Sequence, residues 1–284
     1  MNARTTTVIL DGLAFPEGPR WHDGRLWFSD QHDRRVVATT PAGEAETIVD
    51  VPQQASGLGW LPDGRMLVVS MLDKKVMRLE PDGALVEHAD LSALAPGACN
   101  DMVVDASGRA YVGNFGFDLH GGAKFAPTCL VLVTEDGRAQ IVAERLAFPN
   151  GTVITPDGAT LIIAESFGKA LTAFDIAADG SLANRRTWAP LSFTPDGIAL
   201  DADGYVWSAS ALAPGGFVRV APGGAVDASI DLEGRTGFAC ALGGADRRTL
   251  FMLEARDDDP HHKPPRGNGR IRNVRVAVPG VGLP

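Results

Sequence analysis

Short apolar runs broken by polar turns recur along the whole chain. Trp21-His22-Asp23-Gly24 leads into Leu26-Trp27-Phe28, and Leu61-Pro62-Asp63-Gly64 into Met66-Leu67-Val68-Val69. Ala106-Ser107-Gly108 leads into Ala110-Tyr111-Val112, Thr155-Pro156-Asp157-Gly158 into Leu161-Ile162-Ile163, and Ala202-Asp203-Gly204 into Tyr205-Val206-Trp207. A sixth phrase, Gly244-Ala245-Asp246, leads into Leu250-Phe251-Met252-Leu253. Asp-Gly between β-rich runs is a hairpin signal, because glycine accepts the positive φ such turns need. A second hairpin follows the first, as at Ala42-Gly43, Asp82-Gly83 and Asp136-Gly137. The turn glycines at 24, 64, 108, 158 and 204 recur every 40 to 50 residues. Four strands per repeat of that length predict propeller blades. The chain is predicted to be an all-β, six-bladed β-propeller with four antiparallel strands per blade.

The sixth blade is one strand short in sequence order. Its strands are expected over Phe238–Leu242, Leu250–Leu253 and Ile271–Val278. A leading strand, Thr5–Leu10, precedes blade one without a partner there. It is expected to join the last blade and close the ring, which also protects sheet edges. Residues 1–284 read as one domain, with Asp257–Asn268 a loop of blade six.

Composition narrows the partners. Of 284 residues, 33 are Gly and 19 are Pro, which suits many turns. The formal net charge of −9 argues against a nucleic-acid partner, since phosphate backbones are bound by basic surfaces. Nothing approaches the ~20 apolar residues of a membrane helix, and no secretory segment opens the chain. Cys99, Cys129 and Cys240 are odd in number and far apart, so they read as reduced thiols in a cytoplasmic protein. The expected partner is a small molecule, and the expected assembly a monomer or small homo-oligomer. Trp21, Trp27, Trp60 and Trp207 are expected in the core between blades.

In a propeller the first strand of each blade lines the central channel. Counting back seven residues from each turn gives Ser56, Asn100, Asn150 and Asp196; six back in the shorter first hairpin gives Glu17. In blade six the same region is Thr236-Gly237-Phe238. Phe15-Pro16-Glu17-Gly18, Phe148-Pro149-Asn150-Gly151 and Thr194-Pro195-Asp196-Gly197 repeat one local phrase. Symmetry-equivalent positions converge on the axis, so Glu17, Asn100, Asn150 and Asp196 should surround one point. Two carboxylates and two amides in a narrow channel call for a cation. All-oxygen donors favour a hard divalent ion: Ca2+ first, then Mg2+ or Mn2+, with Fe2+ or Zn2+ as further candidates. Taken singly, any of these residues reads as a turn or strand cap; their common phase makes the ligand set.

These residues also carry a resemblance. Phe-Pro-Glu-Gly-Pro at 15–19, Asn100-Asp101, Phe-Pro-Asn-Gly at 148–151 and Pro-Asp-Gly at 195–197 resemble the signature of the SMP-30/gluconolactonase/LRE family, blade by blade. The resemblance implies a metal-bearing propeller that hydrolyses lactones. It makes Glu17, Asn150 and Asp196 the metal ligands, Asn100 a channel residue on metal-bound water or substrate, and Asp196 the general base. One departure stands out: where sugar-binding members often carry Arg, this chain has Ala98. The following loop, Asn114–Pro127, is aromatic, with Phe115, Phe117, His120 and Phe125; Phe115 and His120 are its candidate substrate contacts. A substrate less polar than an aldonolactone is expected.

The expected chemistry is water attack on a lactone, with Asp196 collecting the proton. The pocket loops are expected at Gln31–Arg34, Met71–Lys74, Asn114–Pro127, Ser166–Lys169, Ala211–Gly216 and Ala255–Gly269. His32 and His120 fall on these loops. His261-His262 sit in a Pro-rich stretch that reads as a solvated lid. Ser29, Ser70, Ser208 and Ser210 lack the Gly-x-Ser-x-Gly elbow of a serine hydrolase. Two alternatives stay open: a metal-dependent esterase or phosphotriesterase on the same fold, and a non-catalytic metal- or ligand-binding propeller.

Overall fold

A computed structural model describes residues 6–211, 215–232, 234–256 and 267–284. Its strands, numbered in chain order from β1 (Thr7–Leu13) to β24 (Gly269–Arg275), form six four-stranded antiparallel sheets. Blade one runs β2 (Pro16–His22), β3 (Arg25–Asp30), β4 (Arg35–Thr39), β5 (Ala45–Asp50) from the axis outward. The inner strands of the next five blades are β6 (Ala55–Trp60), β10 (Cys99–Val104), β14 (Pro149–Ile154), β18 (Pro195–Leu200) and β22 (Thr236–Gly243). The six-bladed architecture read from the turn spacing is the observed one.

The turns form as their residues dictate. Gly64 sits at φ 87° and its amide donates to Leu61 O at 2.9 Å. The turns at Gly108, Gly158 and Gly204 close in the same way. In blade six the equivalent bond runs from Arg247 N to Gly244 O at 2.9 Å.

The sixth blade is built from both ends of the sequence: β22, β23 (Thr249–Ala255), β24 and then β1 on the outside. β1 pairs antiparallel with β24, from Thr7 opposite Asn273 to Leu13 opposite Gly269. It begins two residues later than expected and ends three later. Two register shifts and Gly12 at φ 83° let the pairing continue through Asp11-Gly12. The strand expected over Ile271–Val278 is Gly269–Arg275. The segment after it does something the sequence did not announce. It crosses beneath blades five and four, where Val281 N donates to Leu200 O (3.0 Å) and Leu283 exchanges hydrogen bonds with Ile154 (2.8 and 3.0 Å). Leu200 and Ile154 end β18 and β14, so this segment lies at the end of the channel opposite the starts of the inner strands.

Apolar side chains fill each seam between neighbouring blades. Leu58, Met66 and Val68 pack with Val36 and Val51 between blades one and two. Trp207, 1% exposed, packs with Cys240, Leu250 and Met252 between blades five and six. The other three tryptophans named above also pack against seams between blades, but less deeply. Trp21, Trp27 and Trp60 are half-buried, with Trp21 stacked on Phe251 and Trp60 stacked on His22 at 3.9 Å. All three cysteines are free and buried. Among the described residues no helix is long and apolar enough to cross a membrane.

Candidate active site

Every inner strand carries a register shift close to its start: between Glu17 and Arg20, Ala55 and Leu58, Cys99 and Met102, Pro149 and Thr152, Pro195 and Ile198, and Gly237 and Ala239. A bulge re-aims the side chain at that point. Ser56, Asn100, Asn150 and Asp196 lie within these shifts and Glu17 borders its own, paired with Ser29, so the channel positions counted from the sequence sit at the bulges, with Phe238 completing the ring in blade six. The glycine after three of them has a steric reason. A Cβ on Gly57 would lie 2.3 Å from Met102 N; on Gly151, 2.5 Å from Ile198 N; and on Gly197, 2.5 Å from Ala239 Cβ. Six inner strands crowd a narrow axis, and only glycine lets neighbours approach this closely.

Glu17, Asn100, Asn150 and Asp196 line one cavity of about 350 Å3, together with Ser166, Lys169, Phe115 and His120. All six candidate site residues therefore meet in one place. Asn100, Asn150 and Asp196 are buried at 7–8% exposure, while Glu17 is half-buried. Hydrogen bonds tie the floor together. Asn100 Nδ2 donates to Pro149 O (3.4 Å), Asn150 Nδ2 to Ser166 Oγ (3.2 Å), and Ser166 Oγ to Pro195 O (2.7 Å). Both amide nitrogens are thus engaged by protein oxygens, which leaves their carbonyl oxygens for the cavity.

The two carboxylates stand in an unusual electrostatic setting. Burial pushes the Glu17 carboxyl up to about 8; the Gly18 amide (2.8 Å) opposes this, Asp101 adds to it and Arg20 opposes it. Burial also raises the Cys240 thiol, and Glu17 and Asp196 raise it further, so both carboxylates lie near this one inner-strand residue of blade six. A carboxyl that prefers its proton at neutral pH beside a second carboxyl is a donor set that fits a hard cation. Among the described residues no group of three or more His, Cys, Asp and Glu gathers, so any ion here would be held by two carboxylates and amide oxygens.

Beneath the floor lies a pair the sequence reading missed. The Arg20 guanidinium, 3% exposed, donates to Leu58 O (2.9 Å), Pro19 O (2.8 Å), Met102 O (2.5 Å) and Asp101 Oδ1 (2.6 Å). It ties the neighbouring inner strands of blades one, two and three together. The one signal was Asp101, which stands where blades one, two, four and five have Gly18, Gly57, Gly151 and Gly197. Ser166 was expected only as the start of a pocket loop; its bonds to Asn150 and Pro195 have no signal in the channel phase.

The walls are aromatic. Phe148 has φ 65°, a left-handed conformation costing roughly 1–2 kcal/mol for a side chain with a Cβ, immediately before Pro149. That strained step directs the chain into the bulge carrying Asn150, and it sets the Phe148 ring against Phe115 (centroids 4.6 Å). Across the cavity Phe15 stacks on His32 (4.7 Å) and meets Phe238 edge-on (4.7 Å). Of the expected pocket loops, 31–34, 114–127, 166–169 and 211–216 contribute lining residues, whereas 71–74 contributes none; Met71 is buried in the seam of blades two and three. Ala98 also faces that seam, its carbonyl accepting from Phe115 N at 2.9 Å. His261 and His262 lie outside the described residues, as does most of the loop 257–268.

Comparison with known proteins places these features. The family model described as SMP-30/Gluconolactonase/LRE-like region matches residues 15–256. A 6-deoxy-6-sulfogluconolactonase of Pseudomonas putida is 26% identical over 298 aligned positions, covering 100% of this chain and 99% of that protein. A pentonolactonase of Haloferax volcanii is 27% identical, covering 89% of this chain and 86% of that protein. Among solved structures, a calcium-binding protein, regucalcin, from Agrobacterium tumefaciens superposes with a TM-score of 0.82 at 22% identity, covering 99% of this chain and 97% of that one. That last likeness is one of fold.

Proposed function

The chain belongs to the SMP-30/gluconolactonase/LRE-like family, and from that premise we propose that it hydrolyses a lactone with the help of one divalent cation. The two relatives above are both lactonases. The observation that carries the reading is the convergence of Glu17, Asn100, Asn150 and Asp196 on the floor of one cavity. Glu17, Asn150 and Asp196 would hold the ion, Ca2+ first on the chemistry of the donors, with Asn100 beside them. When bound, it supplies a Lewis acid next to the substrate carbonyl.

The chain's own groups do the rest. Asp196 takes a proton from the attacking water and returns it to the ring oxygen as the acyl–oxygen bond breaks, so lactone and water become the hydroxy acid. Asn100 orients the substrate carbonyl. Ser166 fixes Asn150 by accepting from its amide and donating to Pro195 O. Phe115 and His120 bound the space for the substrate ring.

A panel of lactones and aryl esters, assayed with and without EDTA, tests this reading. Lactone turnover that EDTA abolishes supports it; ester-only turnover, or ion binding without turnover, points to the two alternatives named above. Asp196→Asn should abolish turnover with the fold intact, and near-normal activity in that variant would remove Asp196 as the base.

A further inference from the structure

The floor of the cavity is polar, but one wall offers little to a polyhydroxylated ring. Phe148, 6% exposed, packs on Phe115 and, at 5.1 Å, on Phe167. Phe167 stacks on Phe125 (5.5 Å, 18°), and the Phe117 ring meets both edge-on at 5.6 and 5.8 Å. The aromatic surface therefore runs from Phe115 and Phe148 to Phe167 within the cavity lining and continues onto Phe125, which stacks on Phe167 outside that lining. Phe167 and Phe125 are 50% and 47% exposed. Large rings left half open to water in a stacked pair are unusual on a surface and mark a place where apolar matter docks.

The wall is also held in place. Asn114 accepts from Gly116 N (3.0 Å) and Thr128 Oγ1 (2.5 Å) and donates to Cys129 O (2.9 Å), which pins both ends of the loop that carries Phe115, Phe117 and Phe125. A sugar hydroxyl placed against the Phe148 and Phe167 rings would exchange water for ring carbons and gain no hydrogen bond from them, which is unfavourable. An alkyl or aryl group placed there gains at each step.

Resting on the lactonase reading, we infer that the substrate is a lactone bearing an apolar alkyl or aryl substituent. Its ring sits on the polar floor and its substituent lies along Phe148 and Phe167 toward Phe125.

The test is a series of γ-alkyl-γ-butyrolactones, methyl to hexyl, set against polyhydroxylated aldonolactones. Each buried methylene should raise kcat/KM about fourfold until the chain reaches Phe125. Phe167→Ser should reduce the ratio of hexyl to methyl turnover. A flat or falling series, or preference for the aldonolactones, overturns the inference while leaving the lactonase reading standing. If no lactone is turned over, the lactonase reading falls, and binding of 2-alkylcyclopentanones measured by calorimetry tests the wall alone. Affinity rising about fourfold per methylene supports an apolar-substituent site; affinity independent of chain length overturns it.

Discussion

Replacing Gly151 by alanine is expected to damage the site more than the fold. The added Cβ would stand 2.5 Å from Ile198 N, 2.6 Å from Gly197 Cα and 2.8 Å from Asp196 O. All three are backbone atoms of β18, so no side chain can swing aside. Restoring an ordinary contact near 3.4 Å requires the two inner strands to part by about 0.9 Å. Overpacking of this kind costs about 1–3 kcal/mol. At about 2 °C per kcal/mol for a chain of this size, thermal unfolding should fall by about 2–6 °C. The same displacement separates Asn150 from Asp196, and a misplacement of about 1 Å costs on the order of 100-fold in rate. Gly158→Ala is the control. Gly158 sits in a turn at φ 70° with nothing within 4 Å of the new methyl. It should lose about 1 kcal/mol from the left-handed backbone and no activity. Thermal unfolding and lactone turnover of both variants, side by side, decide the matter. Equal activities in the two would refute the close approach of β14 and β18 as the device that sets the site.

Three further outcomes follow from the same geometry. Asp101→Ala leaves the buried Arg20 guanidinium without its carboxylate and should cost about 3–5 kcal/mol by urea unfolding. Ser166→Ala releases the Asn150 amide; its loss of kcat should exceed its small loss of stability, and a variant with unchanged kcat would show that Asn150 needs no such support. The pH dependence concerns Glu17, whose folded pKa of about 8 lies above its ordinary 4.5. In EDTA-treated protein the folded state holds this proton more tightly than the unfolded chain does. Stability from this group is therefore complete below about pH 4.5 and is lost as pH rises toward 8. Glu17→Gln should remove that slope in pH-resolved thermal unfolding.

The sequence disclosed the blades because their turns repeat in phase and each turn forms from its own few residues. It disclosed the channel positions for a related reason: every inner strand carries its bulge near the same place, so counting back from the turn lands on Glu17, Asn100, Asn150 and Asp196. What it did not disclose has no period. Arg20 is a lone arginine in a strand, and its role depends on Leu58, Asp101 and Met102 from two other blades. The segment that crosses under Ile154 and Leu200 is held by backbone hydrogen bonds that any sequence could make, although Gly280 and Gly282 admit the close approach. Trp27 and Trp60 look like core by type, and they do pack on the seam of blades one and two, but only half-buried, a depth that strand patterning cannot distinguish. Ala98 faces a seam rather than the cavity, and the aromatic wall comes from its neighbours.

The central claim is that Glu17, Asn150 and Asp196 hold a cation that lactone hydrolysis requires. The most direct measurement is a Ca2+ titration of EDTA-stripped protein, following heat of binding and turnover of a γ-alkyl-γ-butyrolactone in the same samples. The account predicts one ion bound per chain, with activity returning in proportion to occupancy in the native protein and both lost in Asp196→Asn. Undiminished turnover in EDTA, or normal ion-dependent turnover in Asp196→Asn, would contradict it.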